Sequence, residues 1–122
     1  MRTVKQATLL RLHFDESDRF QGVPLYEAIV DRCKHLGIAG ATVFRGLEGF
    51  GESAGIHRRH LITKDQPVIV TIVDTADNLA RLIPEIEAMM DSGMIVTSDV
   101  ECIRIEHPPA VTSQPDSSPS GT

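Results

Sequence analysis

Tryptophan is absent from the chain, and aromatic residues of all kinds make up only 4% of it. So few flat rings disfavour a surface on which the bases of a single strand would stack. Positive charge is also scarce. The formal charge is −5 and the isoelectric point is near 5.4. A general nucleic-acid binder is normally basic, so that class is excluded, although a local basic patch on an acidic body is not. There are two cysteines, Cys33 and Cys102, without C-x-x-C spacing. Both sit in apolar-periodic segments, which points to free buried thiols rather than a disulfide or a metal centre. No apolar run approaches the ~18 residues of a membrane-spanning helix. The opening Met1-Arg2-Thr3-Val4-Lys5-Gln6 leads into no signal-type apolar stretch. The expectation is a soluble cytoplasmic protein. Missing too are a nucleophile–base motif, an H-E-x-x-H pair, a Walker loop and a dinucleotide fingerprint. No carboxylate pair sits in an apolar run where a raised pKa would be expected. A non-enzyme is the reading these absences support.

What the chain does have is a strand that dissolves into a glycine-punctuated loop. Residues 40–51 read Gly-Ala-Thr-Val-Phe-Arg-Gly-Leu-Glu-Gly-Phe-Gly, and His57, Arg58, Arg59 and His60 follow closely. Glycine in a strand costs backbone entropy and removes a packing side chain, so the spacing implies positive φ or close backbone approach. The N–H groups of such a loop can cradle an anion, which the following cations would neutralise. A long hairpin turn with a solvated tip explains the same pattern without a ligand.

The rest of the chain predicts one domain over residues 1–107. Residues 108–122 hold four of the seven prolines and four serines, too little apolar surface to offset ordering, and are expected to be a disordered tail. Residues 7–14 alternate as a half-buried strand, with Leu10, Leu12 and Phe14 opposite Leu9, Arg11 and His13. A polar turn follows over residues 15–22. Pro24 suits a helix start, Leu25, Ile29, Cys33 and Leu36 form an apolar stripe, and Gly37 suits the stop. Residues 40–47 read as the second strand. Residues 67–74 are β-branched and apolar on both faces, a central strand. Residues 76–92 carry a second helical stripe, capped by Asp74 or Thr75, kinked at Pro84 and stopped by Gly93. Residues 94–106 read as a last strand, interrupted near Thr97-Ser98-Asp99. The order βαββαβ predicts an α+β, ferredoxin-like sandwich: a four-stranded antiparallel sheet with both helices on one face. The helices cover one face only. An apolar third strand then implies that another chain covers the second, hence an oligomer.

Gly40-Ala41-Thr42-Val43, the run Gly49-Phe50-Gly51, the Ile56-His57 pair and the 67–74 strand together resemble the PII signalling proteins. More closely, residues 7–106 resemble the PII-like family known as domain of unknown function 190. The resemblance implies a homotrimer, a small anionic effector such as an adenine nucleotide in clefts between subunits, and no obligatory cofactor. It also implies a flexible loop, here about residues 50–65, that docks on a partner such as a membrane transporter or channel. By position, Gly49, Phe50 and Gly51 fall at the loop base that approaches the ligand. Arg104 resembles a late arginine that reaches phosphate, and Gly93 falls near the PII B-loop. Asp91-Ser92-Gly93-Met94 lacks the lysine of the PII pattern, which points away from a triphosphate and toward a smaller nucleotide or another anion. The presumed loop has no tyrosine, so the uridylylation known in some PII proteins has no acceptor there.

Other candidates follow from the residues alone. Arg45, between a β-branched strand and Gly46, is either a cleft cation or a solvated strand residue. Arg58 and Arg59, with His57 and His60, suit partner docking better than small-molecule binding. His57 and His60 are three apart and would need a helical loop to share a metal, so no metal is assigned. A metal-tolerance trimer of the related CutA kind, and an adaptor trimer without a small ligand, remain the alternatives.

Overall fold

Backbone pairing, more than side-chain pattern, sets the lengths of the strands. The computed structural model describes residues 1–48 and 66–108. The expected tail beyond residue 108 and most of the loop lie outside the described residues. In the first strand, β1 (Arg2–Asp15), Leu10, Leu12 and Phe14 are buried on one face, as the alternation requires. The strand begins at Arg2 rather than at residue 7. Its early residues pair with the last strand of the chain, from Arg2 opposite Ile105 to His13 opposite Met94. A hydrogen-bond ladder needs no apolar side chains, so the polar start of β1 carries no sequence signal.

The expected turn after β1 contains a small hairpin, β2 (Arg19–Phe20) and β3 (Val23–Pro24). Its two central residues, Gln21 and Gly22, sit at φ 51° and 83°, the pattern that two-residue hairpins favour. Helix α1 (Leu25–His35) starts just after Pro24 and buries Leu25, Ile29 and Cys33. β4 (Thr42–Arg45) is shorter than residues 40–47, because its pairing with β5 (Pro67–Asp74) ends at Arg45 opposite Val68.

Helix α2 (Ala76–Met89) is capped by Thr75, whose side chain accepts a hydrogen bond from Asn78 N at 3.1 Å. It stops at Met89, the last buried residue of the stripe Leu79, Leu82, Ile86 and Met89, rather than running to residue 92. Pro84 lies within this single helix on its exposed side. There water can bond the carbonyl that proline leaves unpaired. β6 (Met94–Ile105) continues through Thr97, Ser98 and Asp99 without the expected break, because those residues pair with Leu10, Leu9 and Thr8.

The sheet order is β4-β5-β1-β6, antiparallel throughout, with α1 and α2 on one face. This is the expected ferredoxin-like sandwich. Val68, Val70 and Ile72 of β5 join the β1 residues and both helix stripes in one core. Each fully buried leucine or isoleucine there contributes about 1.5–3 kcal/mol. The opposite face of β5 presents Ile69, Thr71 and Val73, and Val73 stays exposed.

Candidate functional site

The predicted site residues divide between two ends of the sheet. Gly49, Phe50 and Gly51, with His57, Arg58, Arg59 and His60, lie outside the described residues. Arg45 and Gly93 lie at the end where β1 finishes. Arg45 is paired in register with Val68, and its guanidinium is held by the Glu16 carboxylate. Gly93 sits at φ 128°, packed on the His13 carbonyl, and an added Cβ would stand 2.7 Å from the Met90 methyl. A side chain there would be strained and would push the start of β6 off β1. Arg104 lies at the other end, opposite Thr3. From Thr3 to His13, β1 runs ten residues at about 3.3 Å each, so Arg104 and the Gly93 end of the sheet are roughly 33 Å apart in one chain.

Arg104 lines a cleft of about 110 Å³ at its own end, together with Lys5, Ala39, Val73, Asp74, Thr75 and Cys102. Among the described residues Arg104 forms no ion pair. The cleft arises because β5 ends at Asp74 opposite Thr8, while β1 and β6 run on past it as a two-stranded ribbon. Asp74 anchors the junction. One carboxylate oxygen accepts from Ala39 N at 2.8 Å, and the other from Thr75 N at 2.7 Å and Asn78 Nδ2 at 2.8 Å. Partial burial works against its ionisation. Those hydrogen bonds and the nearby Lys5 charge outweigh burial and hold its pKa below the usual carboxylate value. Sequence reasoning missed Lys5, Ala39 and Asp74 as cleft residues. Only the register, which sets Lys5 opposite Cys102 and one step from Arg104, brings them together.

A larger open groove of about 420 Å³ lies between the β2–β3 hairpin and α1. It carries Glu27 and Asp31, and its Arg32 is already bound to Glu85 at 2.5 Å. That groove would repel an anion despite its size. The Arg104 cleft is the better candidate for anion binding, yet it falls well short of the roughly 300–1,000 Å³ of a complete small-molecule site. It is half a site. Among the described residues no three His, Cys, Asp or Glu side chains are grouped to hold a metal, and no described helix is long and apolar enough to cross a membrane.

Comparison with known proteins agrees with the fold. The family profile of DUF190, described as an uncharacterized family, matches residues 7–102. A UPF0166 protein of Aquifex aeolicus is 37% identical over 105 residues, covering 84% of this chain and 98% of that protein. Among solved structures, the fold is similar to CPII of Thiomonas intermedia K12, a nitrogen regulatory PII-like protein. Its apo form gives a TM-score of 0.55 at 18% identity, covering 86% of this chain and 100% of that one. The form bound to ADP, AMP and bicarbonate gives 0.58 at 12% identity, covering 82% and 98%.

Proposed function

The chain belongs to the DUF190 family, and on that premise we propose that it is a PII-like regulator that binds a small anionic effector between subunits. The effector class we propose is an adenine nucleotide smaller than a triphosphate. The observation that carries this is the division of the site. Arg104 and its cleft sit about 33 Å from the Arg45 and Gly93 end of the same chain, too far for one nucleotide to span, at about 3.3 Å per strand residue. In a homotrimer, Arg104 and Lys5 of one copy meet the Arg45 and Gly93 end of the next, and the two halves make one cleft. The apolar open face of the sheet supports this assembly. Nucleotide-bound CPII structures share the fold and support the ligand class. Loop residues 50–65, with His57, Arg58, Arg59 and His60, then carry the signal to a partner such as a membrane transporter. This reading of the loop rests on sequence.

Isothermal calorimetry against ADP, AMP and ATP tests the proposal. A charge-assisted contact to a buried phosphate contributes about 1.5–3 kcal/mol. Arg104→Ala is therefore expected to weaken ADP or AMP by about tenfold to a hundredfold, at 1.4 kcal/mol per factor of ten. Unchanged affinity in that variant would remove Arg104 from the site. No binding of any nucleotide below millimolar would favour the adaptor reading instead.

A further inference from the structure

The sheet face turned away from the helices is a grid centred on Arg11. Thr42, Thr71, Arg11 and Val96 stand directly opposite one another across all four strands. Phe44, Ile69, His13 and Met94 form the row on one side, and Val73, Leu9 and Ser98 the row on the other. Arg11 is exposed, and among the described residues it has no ion-pair partner. From Thr3 to His13, this face carries the cations Lys5, Arg11 and Arg104 and no carboxylate, although the chain as a whole is at −5. The surroundings of Arg11 are largely apolar, with Phe44 52% and Met94 57% exposed.

The inference rests on the assembly proposed above. Packing these faces together covers the apolar grid and brings an Arg11 from each copy into a region with no negative charge of its own. A guanidinium does not escape by losing its proton, and an unpaired buried charge is strongly destabilising. We propose that the assembled faces bind a small oxyanion, of the phosphate, sulfate or bicarbonate class, between their Arg11 side chains. The planar guanidinium fork matches two oxygens of such an ion. The hydroxyls of Thr42 and Thr71 lie in the same row to complete its hydrogen bonds. Within its own chain Arg11 is eight strand residues from Thr3, which stands opposite Arg104, roughly 26 Å, and the Arg104→Ala variant tells the two sites apart.

The test is thermal unfolding without nucleotide in phosphate, sulfate, bicarbonate or chloride at one ionic strength, with light scattering on the same samples. A ligand of the native state raises the midpoint by an amount that grows with the logarithm of its concentration above its dissociation constant. At least one oxyanion is expected to raise the midpoint progressively with its concentration, beyond the effect of chloride, in the wild type and in Arg104→Ala, and the effective ion identifies the ligand. Arg11→Met is expected to lose that response while staying assembled and binding nucleotide. If Arg11→Met does not fold, Arg11→Lys keeps the charge without the fork and should show a weakened response. A monomer under all conditions would overturn the assembly itself. A trimer indifferent to every oxyanion, or an Arg11 variant with an undiminished response, would overturn the anion site alone.

Discussion

Asp74 ties three parts of the chain together through one carboxylate: the segment after α1 at Ala39, the end of β5, and the first turn of α2. Its folded pKa lies below the ordinary 3.8, so it contributes stability at neutral pH that is lost as pH falls below about 3.8 through the folded value. Denaturant unfolding at pH 7 and pH 3 is expected to show Asp74→Asn weaker than the wild type at pH 7, with the difference shrinking at pH 3. An equal difference at both values would contradict the charge role. Cys33 behaves in the opposite way. Burial pushes its thiol up to about 11 from 9.0, so its contribution is full below about 9 and fades as pH rises toward 11. At neutral pH it stays a thiol, and a thiol reagent should reach it only on unfolding. At this scale the sequence singled out Arg104, which lines a cleft, and Gly93, which sits at φ 128°, as site candidates. It had no way to show Asp74 as a hub, because Ala39 is 35 residues away and an acidic residue at a helix start already has a sufficient local reason.

Helix stripes and the β-branched β5 strand were legible because burial imposes a period on the sequence. Leu79, Leu82 and Ile86 are all fully or almost fully buried. What periodicity did not show was backbone pairing. Arg2, Lys5 and Gln6 are exposed, as are Thr97, Ser98 and Asp99, yet all lie in one ladder between β1 and β6. That hidden ribbon holds one side of the Arg104 cleft, so half the candidate site was invisible for the same reason. Two element-scale predictions follow from α2. Thr75→Ala removes the cap to Asn78 and should cost about 1 kcal/mol in denaturant unfolding. Pro84→Ala should do the reverse. Proline in an exposed helix interior costs up to about 3 kcal/mol relative to alanine, so the variant should melt higher. A lower melting midpoint would mean that Pro84 stabilises a bend the fold requires.

The Arg104 cleft and the Arg45 and Gly93 end lie at opposite ends of β1, and the chain's own helices leave the sheet face bearing Phe44 and Met94 uncovered. In the proposed assembly, copies are arranged around an axis so that one copy's ribbon reaches the Arg45 and Gly93 end of the next. The central claim is therefore that each effector site is shared between two copies. Subunit mixing tests it most directly. Arg104→Ala and Arg45→Ala proteins would each be titrated with ADP and AMP, then mixed one to one under conditions that exchange subunits, and titrated again. Each variant alone should bind weakly. In a random mixture of trimers, about one cleft in four joins an intact Arg45 side to an intact Arg104 side, so about a quarter of the sites should regain wild-type affinity. A mixture that binds no better than its parents, despite exchanged subunits, would contradict a site shared between copies.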